Sequence, residues 1–479
     1  MDPEQLIFNG IDGATGQYLL PPLTPRDISK IAQGEKLEPA HLQDLMQRWT
    51  QASQPHFGVK VLASVDETNL ARTGWGVVFA HDADPAIREA LAPLLDRRKA
   101  LAGAEKEKYY QEYTGARAYR PGESKQQFLA RNGAGPGPAD PDHVPYYLLL
   151  VGDPEAIPFR FQYQLDVQYA VGRIHFDTLE AYAQYARNVV ETETNPSVRK
   201  RRAAFFGVRN AGDQATQLSA DHLVKPLAEK LAGELAGWKC DTVLADDATK
   251  ARLGQLLGGA DTPAFLFSAS HGMGFPNGDP RQAAHQGALL CQDWPGPIQW
   301  RQPIPPEFYF AGEDLGDSTA LKGTVAFFFA CYGAGTPRLD DFAHAATGAQ
   351  AEIAPHGFLG QLPKRLMNHG MLAVVGHVER AWGCSFVWKR AGEQLAVFES
   401  SLLRLLQGQP IGRAMEFFNE RYAELSSDLT SELEEVRYGK VADDVEISGM
   451  WTANNDARSH IIIGDPAVCL AAESSTAIS

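Results

Sequence analysis

Several absences narrow what this chain can be. No apolar run approaches the roughly 18 residues needed to cross a bilayer, and the opening MDPEQLIFNGIDGATG lacks a charged stretch followed by an apolar one. The expected location is the cytoplasm. Positive charge is scarce: 44 Lys plus Arg stand against 59 Asp plus Glu, a formal net charge of −15, which argues against a direct nucleic-acid partner and against an anionic membrane surface. Cysteine is sparse too. Cys240, Cys291, Cys331, Cys384 and Cys469 are an odd number scattered along 479 residues, which excludes a secreted disulfide framework and reads as free thiols. There is no CxxC and no HExxH, and the histidines show no tight ligand spacing, so no metal and no cofactor is expected. GxxxxGK[ST], GxSxG, internal repeats and low-complexity tracts are missing as well. The G-x-G that follows a strand, Gly333-Ala334-Gly335, runs into TPRLDDF rather than a helix start and reads as a loop flanking Cys331, with Asp340 and Asp341 open to substrate contact or to solvent, the latter favoured.

What is present is an ordered alternation of strand and helix signals over a length that suits two or three subdomains. Residues 1–55 read as a lead-in, with a helix through LEPAHLQDLMQRWTQ. Residues 56–200 form an N-terminal α/β subdomain. Its βα unit is GWGVVFAHDADPAIREALAPLLDRRKA, followed by the Gly/Pro-rich loop RNGAGPGPADPDHVP, the strand YYLLLVGD and the helix TLEAYAQYARNVVETE. A basic turn at NPSVRKRR marks the boundary. Residues 201–472 then repeat short strands rich in Phe, Val and Leu between helices: AAFFGV, DTVLA, AFLFSASHG, TVAFFFACYG and MLAVVGHV. Two long helical stretches, WKRAGEQLAVFESSLLRLLQGQ and IGRAMEFFNERYAELSSDLTSELEEV, precede a closing strand HIIIGDPAVCL, and 473–479 is a tail. The class is α/β, with a mostly parallel sheet flanked by helices in two side-by-side subdomains.

In open α/β sheets the loops after the strand carboxyl ends hold the polar chemistry. Two such ends stand out. AFLFSAS ends in His271-Gly272, and TVAFFFA ends in Cys331-Tyr332-Gly333. If these strands are neighbours, an imidazole and a thiol emerge at one edge, the pairing needed for a thiolate to attack a carbonyl while a base takes its proton. The backbone N–H groups of Gly272 and Cys331 are the candidate oxyanion donors. Each residue alone reads as structural, a small buried hydrophobe and a turn; their joint placement favours catalysis.

SASHG around His271 and FFFACYGAG around Cys331 resemble the motifs of the caspase-like clan of cysteine peptidases, which includes caspases, gingipains, separase and the CHAT-domain proteases. YYLLLVGDPEAIPF, DVQYAVGRI and IIIGDPAVCL are similar to segments of the gingipain-like and CHAT-like branch, so the resemblance spans roughly residues 145–470. It implies a caspase-like fold and a cysteine endopeptidase acting on a protein or peptide substrate, with a regulatory protein partner and a role in bacterial defence or cell death. It also implies that Asp166 lies at the base of the S1 pocket, favouring Arg or Lys at P1, and that Trp382 walls that pocket; by themselves these residues read equally as a turn cap and a core aromatic. The loop HVERAWGC, with Glu379, departs from the gingipain pattern. Asp153 and Glu155 are the candidates for a third group orienting His271, neither of them assigned. A catalytically silent scaffold and a thiol acyltransferase using the same dyad are the competing functions.

Overall fold

Short apolar strands alternating with helices bury both strand faces only if the helices return to cover a common sheet. The computed structural model describes residues 10–19, 23–33, 66–195, 199–317, 319–340, 342, 351–388 and 392–473, the side chain of Cys384 excepted. The helix expected through LEPAHLQDLMQRWTQ and the tail from residue 474 lie outside the described residues.

The strands that build the molecule are β1 (Gly10–Asp12), β2 (Trp75–Phe79), β3 (Tyr110–Tyr113), β4 (Tyr147–Val151), β5 (Ala170–Ile174), β6 (Arg202–Gly207) and β7 (Lys239–Leu244). They continue with β8 (Phe265–Ala269), β9 (Gly272–Gly274), β10 (Leu289–Leu290), β11 (Tyr309–Phe310), β12 (Val325–Phe329), β13 (Ala373–His377) and β14 (His460–Gly464). Ten of them form one sheet in the order β3-β2-β4-β5-β14-β13-β12-β8-β6-β7. Every neighbouring pair is parallel except β13 with β14. The fold is α/β with a mostly parallel sheet, as the alternation implies. Its two halves share a continuous sheet and run in opposite directions on either side of the β13–β14 seam.

The Phe-rich strands explain the burial. Phe267 and Phe327 stack at 5.1 Å, covered by Phe398 of helix Ala396–Leu406 and Phe418 of helix Glu416–Arg437. On the opposite face Phe206, Leu266 and Phe328 pack in one cluster with Leu253, Leu362 and Leu366. Each such side chain removed from water stabilises the fold by about 1.5–3 kcal/mol. The first of the long helical stretches begins only at Ala396, and a helix that the pattern missed, Asp444–Ser459, follows the second. Its buried residues include Ile447, Met450, Trp451, Asn455 and Asp456, so it carries no clean apolar stripe. No helix among the described residues is long and apolar enough to cross a membrane.

The motif segments of the first half serve as clamps. Asp465, just after β14, accepts from Arg98 Nε at 2.7 Å and from Trp75 Nε1 at 2.9 Å, and Arg98 also pairs with Glu193. Arg173 in β5, wholly buried, donates to Gln162 Oε1 at 2.9 Å and to the Gly152 carbonyl at 3.1 Å. A second, four-stranded sheet has the order β1-β9-β10-β11, and its β1 runs parallel to β9, with Gly10 opposite Gly272. The lead-in therefore enters the fold one residue from His271.

Candidate active site

β8 and β12 are parallel neighbours in a register that ends with Ala269 opposite Phe329. His271 and Cys331 each stand two residues beyond that last pair. Adjacent strands lie about 4.8 Å apart, so the imidazole and the thiol leave the sheet at the same edge and level. Gly272 makes the approach possible: a Cβ on it would sit 1.7 Å from the Cys331 carbonyl oxygen, which no side chain tolerates. Tyr332 turns the chain sharply after the thiol, at φ +58°, in the left-handed region that non-glycine residues enter only at a cost. Its N–H donates to the Glu379 carbonyl at 2.8 Å, which holds the turn.

The group that orients His271 is Asp213. Its Oδ2 accepts from His271 Nε2 at 2.7 Å and from Thr216 Oγ1 at 2.5 Å, while Oδ1 accepts from the Tyr18 hydroxyl. Asp213 follows the carboxyl end of β6, next to β8, and caps the helix Gln214–Ser219. Burial alone would raise its pKa; the charge of His271 and hydrogen bonds from His271, Thr216 and Tyr18 outweigh this and hold it at about 2. With Nε2–H given to the carboxylate, His271 presents Nδ1, a buried ring nitrogen with no hydrogen-bond partner. Tyr18 and Trp294 stand edge-on to the imidazole at 5.8 and 5.9 Å.

Asp153 and Glu155 do not serve this role. They follow the carboxyl end of β4, and the register through β5, β14 and β13 places that end level with the amino ends of β8 and β12. Asp153 closes a turn by accepting from the N–H groups of Glu155 and Ala156, and Glu155 accepts from Gly357 N–H. The missed signal for Asp213 is GDQAT, an N-capping Asp just after a strand that neighbours the His271 strand; strand order is what gives it meaning.

Cys331 is fully buried, and Ala381 N–H donates to its Sγ at 3.2 Å. Burial pushes the thiol up to about 12, against the pull of the Ala381 N–H and the Arg380 charge. Arg380 is itself buried and held by Asp340 through its two terminal guanidinium nitrogens, at 3.1 and 2.7 Å. This corrects the reading of Asp340 as solvated: burying the arginine requires its carboxylate. Asp341 lies outside the described residues.

Asp166 ends the helix Phe159–Asp166 and accepts from Val171 N–H at 3.2 Å, tying the helix to β5 at the same end of the sheet as His271 and Cys331. Trp382 is buried, stacks on Phe342 at 4.7 Å and donates its N–H to Asp456 Oδ1 at 2.7 Å, one residue after the N–H that reaches the thiol. Sequence spacing offered no metal ligands, yet the fold assembles one such group among the described residues: His377, Asp456 and His460.

No family model and no curated protein matches the chain. Among solved structures, the Arg-specific cysteine proteinase gingipain R is similar at 13% identity and a TM-score of 0.46, covering 85% of this chain and 80% of that one. A second structure, described as a protease, is similar at 12% identity and a TM-score of 0.47, covering 84% and 79%. Separase in its complex with securin, from Saccharomyces cerevisiae, is similar at 8% identity and a TM-score of 0.31, covering 67% of this chain and 16% of that one. The CHAT-like part of the resemblance rests on sequence motifs alone. At this identity the likeness says nothing about the reaction.

Proposed function

We propose that this chain is a cysteine endopeptidase. The observation that carries the reading is the matched exit of His271 and Cys331 from neighbouring parallel strands, with Asp213 holding one imidazole nitrogen and the other unpartnered. His271 Nδ1 takes the thiol proton, Cys331 Sγ bonds to the scissile carbonyl carbon, and the same proton passes to the leaving amine as the C–N bond breaks. Water then hydrolyses the thioester with His271 as base, returning the thiol. The N–H groups of Gly272 and Cys331 receive the oxyanion, each such donor contributing about 3–4 kcal/mol in the transition state. Asp213 is a positioning residue: it fixes the tautomer and stabilises the imidazolium.

Asp166 and Trp382 form the S1 pocket in this reading, selecting Arg or Lys at P1 by ion pairing. The substrate is a protein, and the setting is a defence or cell-death response. A fluorogenic peptide panel varied at P1 tests both levels. Cleavage that disappears in Cys331→Ala and in His271→Ala supports the dyad; a variant that still cleaves at the wild-type rate removes it. Preference for Asp or Leu over Arg and Lys removes Asp166 from the pocket while leaving the dyad in place.

A further inference from the structure

His377 ends β13 and His460 begins β14, and the two are register partners across the antiparallel seam. Asp456 lies one helical turn before His460. The three side chains are fully buried, and one ligand atom from each lies within 4.8 Å of the others. Their hydrogen bonding is incomplete. His377 Nε2 meets Asp456 Oδ1 at 3.1 Å, and His460 Nδ1 meets the Asp456 backbone carbonyl at 3.0 Å, but His377 Nδ1, Asp456 Oδ2 and His460 Nε2 have no hydrogen-bond partner. Buried polar atoms are rarely left so. Asp456 Oδ2 stands 3.8 Å from His460 Nδ1, too far for a hydrogen bond. Donors bound at about 2.0–2.1 Å around a tetrahedral ion are about 3.3 Å apart, close to the 3.1 Å between His377 Nε2 and Asp456 Oδ1; His460 Nδ1 is used on the backbone carbonyl, which leaves its Nε2 as the nitrogen open to an ion.

We propose that His377, Asp456 and His460 bind a divalent transition-metal ion, with zinc the best match to two imidazole nitrogens and one carboxylate oxygen. The ion neutralises a carboxylate that the fold otherwise keeps from water and pins β13 to β14 across the seam. It also braces the neighbouring loop, because Asp456 Oδ1 accepts from Trp382 N–H and the preceding N–H, of Ala381, reaches Cys331 Sγ. The site stands whether or not Cys331 is a nucleophile.

The test uses the full chain, prepared from zinc-supplemented cells and also stripped with a chelator. Metal content is measured by mass spectrometry, and the stripped protein is titrated with ZnCl2 while Tm is followed. Because a thiol and an imidazole at the active site also trap zinc, the decisive sample is the double variant Cys331→Ala, His271→Ala. We expect it to retain one equivalent of zinc and its Tm to rise until one equivalent has been added, with both effects lost in His460→Gln. If His460→Gln does not fold, visible absorption of the cobalt-loaded double variant decides: a tetrahedral nitrogen–oxygen spectrum supports the site and no band removes it. Metal lost with the dyad but kept in His460→Gln also overturns the proposal, as does wild-type protein that holds less than a tenth of an equivalent and shows no response of Tm to zinc.

Discussion

His271 Nε2 lies 2.7 Å from Asp213 Oδ2, and the carboxylate that makes this contact is buried with three other donors around it. A neutral amide in its place cannot stabilise the imidazolium and permits the wrong tautomer. Asp213→Asn should lower kcat/KM by about 10²–10⁴, mostly in kcat, and displace the acid limb of the pH–rate profile. Loss confined to KM, with an unchanged profile, would leave Asp213 a structural cap.

The same carboxylate makes stability depend on pH. Its pKa in the fold is about 2, below the ordinary value of about 3.9, so its contribution is complete above roughly pH 4 and is lost as pH falls through 2. The Tm difference between wild type and Asp213→Asn should therefore be largest above pH 4 and shrink towards pH 2. A difference independent of pH over that range would contradict the paired carboxylate.

Cys331 should be inert to small reagents in the resting protein. With its thiol pushed up to about 12 by burial, against about 8.5 for a free cysteine, it holds far less thiolate near neutrality. Iodoacetamide should alkylate it far more slowly in the native chain than in urea, as read by peptide mass spectrometry. A peptidyl acyloxymethyl ketone, which occupies the substrate position, should label it readily. Fast native alkylation would refute the closed thiol.

Gly272→Ala should abolish cleavage and destabilise the fold by several kcal/mol, since the added methyl meets the Cys331 carbonyl at 1.7 Å and the backbone of one strand has to move. Thermal unfolding and peptide hydrolysis report the two effects separately.

Arg98→Ala should cost about 3–5 kcal/mol, because it leaves the buried Asp465 without its cation. The denaturation midpoint measures this, and a change under 1 kcal/mol would show that the clamp within the first half contributes little.

The strands and their alternation with helices were legible because VAFFF, FLFSA and YLLLV are buried on both faces and bounded by turn residues. His271 and Cys331 were legible for the same reason: each ends such a strand. What depends on register across long separations was not. Asp213 looks like any helix cap until β6 is known to lie beside β8. Asp456 and His460 stand four residues apart, a common spacing, and His377 joins them only through the antiparallel seam, which no local motif announces. Tyr18 sits in a turn-rich stretch, and only the pairing of β1 with β9 carries it to Asp213. Asp340 appeared solvated because its partner, Arg380, lies in another loop.

The sheet order has a consequence for how the chain is made. β14, which joins the two halves, is the last of the ten strands to be synthesised, and its neighbours β5 and β13 precede it by hundreds and by dozens of residues. Until residues 460–464 have emerged, each half offers an unpaired edge of the kind that recruits stray strands. Closure of the seam is also a long-range event, so it comes late in folding. A nascent chain halted before that strand carries both His271 and Cys331 but lacks the strand that holds β13 in line, so the site's sheet is closed only after residues 460–464 have been made.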